Sequence, residues 1–176
     1  MWSLRSVSSR MLPILTFFLV FFLKTTAQTV SPDADTYVRN GTYASTNYGT
    51  ATSLYANTST TNGSSKSTLV KFTVAGVSAS SVTAVALKLY VTSYSALTIG
   101  AYPVSSGWTE TGVNWSNAPA PGTLLAQTAI NAKNKYFSWD VTSFIKDSLA
   151  KGGTTFSFLL KDIASNGKDV VFRSEE

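Results

Sequence analysis

Two tryptophans and a glutamate lie within thirteen residues of a chain that is otherwise rich in serine and threonine. The segment GWTETGVNWSNAP, Gly107–Pro119, carries Trp108, Glu110 and Trp115. Exposed indole rings can stack on sugars, and a carboxylate can act as one half of the acid–base pair of a glycoside hydrolase. A buried tryptophan instead needs a hydrogen-bond partner for its N–H, which Glu110 or Asn114 could supply. The segment therefore admits a binding, a catalytic or a structural interpretation.

The spacing of the two tryptophans favours the structural interpretation. If Trp108 and Trp115 lay on one strand, their odd separation would direct the two rings to opposite faces. Gly112 interrupts such a strand, and Asn117-Ala-Pro119 predicts a turn. We therefore expect both tryptophans to be buried and Glu110 to serve as a hydrogen-bond partner.

The residue inventory excludes several kinds of catalysis. The chain contains no cysteine and no histidine, which removes disulfides, thiolate nucleophiles, Ser-His-Asp triads and zinc sites built from these residues. Carboxylate pairs, as in glycoside hydrolases, and proton abstraction by Tyr, Lys or Arg, as in polysaccharide lyases, remain. The sequence alone places no two acidic residues across a cleft, so we expect no enzyme and keep a small lyase as an alternative.

Basic and aromatic residues at the outward positions of predicted strands form a better binding candidate. They alternate with apolar neighbours and have no evident local partner. If the strands are neighbours in one sheet, these residues form a basic face suited to an anionic sugar chain. Ordinary solvated side chains on a sheet are the alternative. The candidate ligand-binding residues are Lys71, Lys88, Tyr90, Lys161 and Arg173.

A metal site at the chain termini is a further hypothesis. Asp33 and Asp35 precede the first predicted strand, and Glu175 and Glu176 follow the last one. Such hard oxygen ligands suit Ca²⁺ if the termini meet, although nothing resembles an EF-hand loop. We expect no cofactor beyond an optional structural Ca²⁺ bound by Asp33 and Asp35.

The first 27 residues have the layout of a secretory signal peptide. Arg5 and Arg10 precede the apolar run Met11–Leu23, and Thr25 and Ala27 are the small residues of a cleavage site after Ala27. An uncleaved anchor is the competing interpretation, but the run is short of the roughly 20 residues that span a bilayer. We expect a secreted domain of residues 28–176 that is not membrane-bound after cleavage.

Cleavage would also lower the net charge. Three of the fourteen basic residues lie in the leader and all nine acidic residues follow it, so the remainder has eleven basic and nine acidic residues, a net +2. The chain has no polybasic run, which argues against nucleic acid as a partner. Candidate N-glycosylation sites are Asn40, Asn57 and Asn62, and the sequon at Asn114 is expected to stay unmodified if its segment is buried.

Short segments with apolar–polar alternation, separated by Gly, Asn and Ser clusters, fill most of the chain after the leader. This period of two is typical of strands with one buried face. Thr142 is predicted to cap a short helix that ends at Gly152 and Gly153. The predicted strands are Ala34–Arg39, Ser53–Ala56, Ser67–Val74, Thr83–Thr92, Leu97–Val104, Thr123–Ile130, Lys135–Val141, Thr154–Lys161 and Asp169–Arg173. The pattern predicts an all-β fold, an antiparallel jelly-roll β-sandwich with one short helix in a single domain.

Four motifs in series resemble a known family. They are ADTYVRNGTYASTNYG (Ala34–Gly49), WTETGVNWSNAP (Trp108–Pro119), DVTSFI (Asp140–Ile145) and FRSEE (Phe172–Glu176). Together they are similar to the DNRLRE, or disaggregatase-related, domain, also classed as carbohydrate-binding module family 96. The resemblance implies a non-catalytic β-sandwich that binds alginate or a similar acidic polysaccharide. It also implies one further strand after Glu176.

These observations predict a secreted protein that binds an acidic, uronate-containing polysaccharide without cleaving it. The alternative is a structural protein of an extracellular matrix or cell wall, or an adhesion protein, whose partner is another protein. The sequence leaves the polymer and the oligomeric state open.

Overall fold

Nine strands, one α-helix and two short 3₁₀ turns make up the regular structure of residues 27–174, the part of the chain described by the computed structural model. The predicted signal peptide lies outside the described residues except for Ala27. The elements are β1 (Ala34–Arg39), β2 (Ser53–Ala56), β3 (Lys66–Thr73), β4 (Ala86–Ser93), β5 (Leu97–Val104), β6 (Ala126–Ile130), β7 (Lys135–Asp140), α1 (Thr142–Ala150), β8 (Thr155–Asp162) and β9 (Val170–Arg173).

The strands form two antiparallel sheets. Sheet I has the order β1-β3-β8-β5-β6, and sheet II has the order β2-β9-β4-β7. From β2 to β9, every connection crosses from one sheet to the other except the β5–β6 pair, which lies within sheet I. This is the strand order of an eight-stranded jelly roll, with β1 added at one edge. The predicted fold class is confirmed.

The main core lies between the inner faces of the two sheets. It is built from the apolar residues that the alternation assigns to one side of each strand, including Leu87, Leu89 and Val91 of β4. Trp139 at its centre is fully buried and donates its indole N–H to the carbonyl of Ile99 at 2.7 Å, which satisfies its only polar atom. Packing rather than cross-linking therefore holds the sandwich together.

A smaller apolar cluster covers the outer face of sheet I. Leu69 of β3 and Leu159 of β8 point away from the main core and pack with Val104, Trp108 and Val113. These strands are consequently apolar on both faces, which is why β8 contains a nearly continuous buried run.

The helix begins slightly differently from the prediction. Thr142 is the first residue of α1 rather than its cap, and its hydroxyl accepts a hydrogen bond from the Val85 N–H at 2.8 Å. Asp140 takes the capping role, because its carboxylate accepts the Thr142 N–H at 2.9 Å. Gly152, with φ +82°, adopts the left-handed conformation that ends the helix.

Among residues 27–174, no helix has both the length and the apolar character that crossing a bilayer would need.

Candidate functional site

The Gly107–Pro119 segment closes over the smaller cluster on sheet I. Trp108 is only 7% exposed, and its indole N–H donates to the Ser157 hydroxyl at 3.2 Å. Trp115, by contrast, is 37% exposed, so the prediction of burial is confirmed for Trp108 and wrong for Trp115. The difference arises from a turn in which the Asn114 N–H donates to Asn117 Oδ1 at 2.7 Å, leaving Trp115 at the surface.

Glu110 has a structural role. Its carboxylate accepts the backbone N–H of Asp35 at 2.7 Å, and its own carbonyl accepts a hydrogen bond from Asn47 at 2.7 Å. Glu110 is therefore a hydrogen-bond partner as predicted, but it serves β1 and the loop before β2 rather than a tryptophan. It joins three distant stretches of chain.

Lys71 is held within the same segment. Its ammonium donates to the Trp108 carbonyl at 2.6 Å and lies 4.6 Å from the centre of the Trp108 ring. Both contacts direct the charge toward the protein. Lys71 is half-buried and already partnered, so it is a weak candidate for ligand binding.

The predicted binding residues do not share one face. Lys71 and Lys161 lie on the outer face of sheet I, whereas Lys88, Tyr90 and Arg173 lie on the outer face of sheet II. The expectation of a single basic face is therefore wrong. The physical reason is the jelly-roll connectivity, which sends successive strands to opposite sheets.

The outer face of sheet II carries a continuous aromatic and basic row. The guanidinium of Arg173 lies 4.5 Å from the centre of the Tyr90 ring, and Tyr90 meets Tyr136 edge to face at 5.1 Å. Lys88 is two residues from Tyr90 on β4, so its side chain points to the same face. These four residues, Arg173, Tyr90, Tyr136 and Lys88, are called the sheet II row below.

Tyr136 is the member of this row that the sequence reasoning missed. It is 63% exposed and lies directly opposite Tyr90 in the register of β7 and β4. Its outward position could have been found from the alternation in KYFSWD, where Phe137 and Trp139 take the buried positions.

The charges of the sheet II row are uncompensated within the described residues. The ion pair found in residues 27–174 joins Lys66 to Asp169 at 2.8 Å, and neither Lys88 nor Arg173 has an acidic partner there. Asp140 lies opposite Ala86, two register positions beyond Lys88 and therefore next to it on the same face. Hydrogen bonds from the side chain and the backbone of Thr142 lower the pKa of Asp140, so this end of the face keeps a negative charge.

Lys161 stands alone on the opposite side of the molecule. Its ammonium lies 5.0 Å from the centre of the Tyr102 ring on the outer face of sheet I. Nearby Leu124 and Ile163 close over Gly100, where an added Cβ would lie within 2.9 Å of both side chains. This region is a packed apolar patch with one cation at its margin.

The two proposed calcium ligands, Asp33 and Asp35, differ in their exposure to solvent. Asp33 is exposed, whereas Asp35 is buried and accepts a hydrogen bond from the Ser174 hydroxyl at 2.7 Å. No three acidic side chains among residues 27–174 come together as a metal site, and Glu175 and Glu176 lie outside the described residues.

The three predicted glycosylation sites differ in accessibility. Asn57 is only 5% exposed and its amide donates to Asp169 at 3.1 Å, which disfavours attachment of a glycan to this side chain. Asn40 is half-buried and its side-chain oxygen accepts the Ser65 N–H at 2.9 Å. Asn62 is exposed. Asn114 is half-buried and accepts the Ser116 N–H at 3.0 Å.

Comparison with known proteins identifies the family of this chain. The chain is 27% identical over 93 residues to a gellan lyase from Bacillus sp, an alignment that covers 51% of this chain and 4% of that enzyme. The profile of carbohydrate-binding module family 96 matches residues 26–176, nearly the whole chain. The protein therefore belongs to carbohydrate-binding module family 96.

Proposed function

We propose that this protein is a secreted, non-catalytic module that binds an acidic polysaccharide through the sheet II row. The observation that carries the proposal is the unbroken contact from Arg173 through Tyr90 to Tyr136, with Lys88 beside it. Two cations without acidic partners flank two tyrosine rings on an open sheet face.

This chemistry suits a uronate chain. A guanidinium can donate two parallel hydrogen bonds to a carboxylate, and Lys88 can act as a second point charge. The exposed ring of Tyr136 offers an apolar surface for the C–H face of a sugar. The negative charge of Asp140 beyond Lys88 disfavours a carboxylate there, which would position the anionic groups between Lys88 and Arg173.

Several acidic residues are engaged in structural contacts, which supports binding without catalysis. Glu110 accepts the Asp35 N–H, Asp162 accepts hydrogen bonds from Ala164 and Asn166, and Asp169 pairs with Lys66. The match to a gellan lyase is compatible with a polysaccharide ligand. Because this chain covers only 4% of that enzyme, its lyase activity does not carry over.

Calorimetry with alginate and pectin oligosaccharides tests the proposal. Replacing Arg173 by Gln removes a charged hydrogen-bond donor and should weaken binding by about 10- to 150-fold, as expected for a loss of roughly 1.5–3 kcal/mol. Tyr136→Ala should also weaken binding. Lys146→Gln, on the exposed side of α1, is the control and should leave the affinity unchanged.

Three results would overturn parts of this proposal. Binding of neutral glycans alone would contradict the acidic ligand. Release of an unsaturated uronate product, detected by absorbance, would contradict the absence of catalysis. A protein partner in pull-downs together with no signal on a glycan array would favour the matrix or adhesion alternative. Secretion, which the layout of residues 1–27 supports, is tested by sequencing the N-terminus of protein recovered from culture medium.

A further inference from the structure

A second aromatic and basic group lies where the edges of the two sheets meet, at β1 and β2. Tyr37 stacks on Tyr48 with ring centres 4.2 Å apart and meets Tyr55 edge to face at 5.0 Å. Arg39, two residues after Tyr37 on β1, lies 3.7 Å from the centre of the Tyr43 ring. These five residues, Tyr37, Tyr48, Tyr55, Arg39 and Tyr43, are called the edge cluster.

Arg39 is oriented but not neutralised. Its Nε donates to the Gly63 carbonyl at 2.6 Å, and the stacking on Tyr43 fixes the plane of the guanidinium. The outer N–H groups of Arg39 have no hydrogen-bond partner, and its charge has no acidic partner, within residues 27–174. A fixed guanidinium with free outer donors is suited to a carboxylate.

The tyrosine hydroxyls of the edge cluster are also available. No hydrogen bond among the described residues uses the hydroxyls of Tyr37, Tyr48 or Tyr55. Burial raises the pKa of Tyr37 to about 12, with smaller contributions from Tyr48 and Tyr55. The Tyr37 phenol therefore remains a protonated donor at neutral pH.

The edge cluster continues from the sheet II row. Arg173 pairs with Ser53 across β9 and β2, and Tyr55 lies two residues after Ser53, so Arg173 and Tyr55 point to the same face. Such diagonal neighbours are roughly 7–8 Å apart, within reach of long side chains. Aromatic and basic groups thus follow one another from Tyr136 to Tyr48 without an intervening acidic strand position.

We propose that the edge cluster is a second subsite for the same acidic polysaccharide, so that one chain passes from the sheet II row around β2 to β1. This inference rests on the proposed function. Arg39 and the phenols bind a uronate carboxylate, and Tyr43, which is 40% exposed, contacts a sugar ring. Lys66 adds no net charge, because it is paired with Asp169.

The consequence is a dependence of affinity on chain length. Short oligosaccharides occupy the sheet II row alone, whereas longer chains reach both subsites. Once the first subsite is occupied, binding at the second is intramolecular and benefits from a high effective concentration. Long chains should therefore bind more tightly per molecule than short chains of the same sugar.

The test compares short and long alginate oligosaccharides by calorimetry on two matched double variants. Arg39→Gln with Tyr43→Leu should weaken the binding of long chains about tenfold and leave short chains unaffected. Lys161→Gln with Tyr102→Leu removes a similar cation and ring from the opposite face and should change neither affinity. An equal loss for short and long chains, or no loss for either, would overturn the inference.

A second measurement does not depend on the stability of the variants. In NMR spectra of the wild-type protein, long chains should shift the signals of Tyr37, Tyr48 and Tyr55, whereas short chains should shift only the sheet II row. Long chains that leave these signals unchanged would contradict the second subsite alone. Failure of both chain lengths to bind the wild-type protein would instead contradict the proposed function.

Discussion

Lys71 and Trp108 hold the Gly107–Pro119 segment against sheet I through contacts at both the backbone and the ring. The lysine bonds to the Trp108 carbonyl, and the indole N–H bonds to Ser157 in the layer below. Both contacts hold the Lys71 ammonium against the segment, so this lysine stabilises the loop. The segment therefore acts as a cover for the smaller cluster.

Replacing Trp108 by Ala should lower the free energy of unfolding by about 3–5 kcal/mol, because a large buried side chain is lost and Ser157 and Lys71 lose contacts. Urea denaturation measures this change. Trp115→Ala, at the exposed position of the same segment, is the matched control and should change stability by less than about 0.5 kcal/mol. An equal loss of stability in the two variants would contradict the conclusion that Trp108, and not Trp115, anchors the segment.

The two tryptophans also mark a limit of reasoning from sequence. The sequence is compatible with burial of either ring. The hydrogen bonds between Asn114 and Asn117 decide which ring faces outward. Lys71 illustrates the same limit, since its outward position on β3 was predicted correctly while its partner comes from a loop 37 residues away. Long-range contacts of this kind leave no local pattern.

At the scale of the elements, α1 depends on one carboxylate. Asp140 accepts the Thr142 N–H, and its lowered pKa means that the ionised form is favoured in the folded state. A carboxyl whose folded pKa is depressed contributes stability above its unfolded pKa, and the contribution is lost as the pH falls through the folded value.

Asp140→Asn should therefore lower the melting temperature at neutral pH, and the difference from the wild type should disappear in acid. Thermal unfolding followed by circular dichroism between neutral and strongly acidic pH measures this. Asp147→Asn, at an exposed position within α1, serves as the control. A difference that persists unchanged at a pH below the depressed folded pKa of Asp140 would contradict the capping role.

The strands were predictable because one buried face imposes a period of two, which fixed β1, β2 and β5 to the residue. The assignment of strands to the two sheets could not be predicted in the same way, because hydrogen-bonded neighbours such as β3 and β8 are distant in sequence. This is why Lys71 and Lys88 were expected on one face. The sheet II row could be predicted in part, through Lys88, Tyr90 and Arg173, but its contact with Tyr136 required the register.

For the whole molecule, the expected net charge is only +2, so attraction of a charged ligand depends on local clusters of charge more than on the overall charge. Lys88, Arg173 and Arg39 lie along one path without acidic partners among the described residues, whereas Lys66 and Lys71 are engaged elsewhere. Attraction for a polyanion should therefore come from this path.

Raising the ionic strength from about 0.1 M to 1 M shortens the screening length from roughly 10 Å to 3 Å, so affinity for an acidic polysaccharide should fall. Calorimetry across this range measures the slope. Arg173→Gln should bind more weakly and show a shallower slope, since one screened charge is gone. Affinity that is independent of salt would argue against charge-assisted recognition.

The unequal burial of the two sheets also has a consequence for divergence within the family. Outward positions on β3 and β8 are occupied by Leu69 and Leu159, so a change there disturbs a packed cluster. Outward positions on β4 and β7 face solvent, and Lys88 and Tyr136 can be exchanged at little cost to folding. Sheet II therefore gives the fold a surface on which side chains can change while the scaffold stays constant.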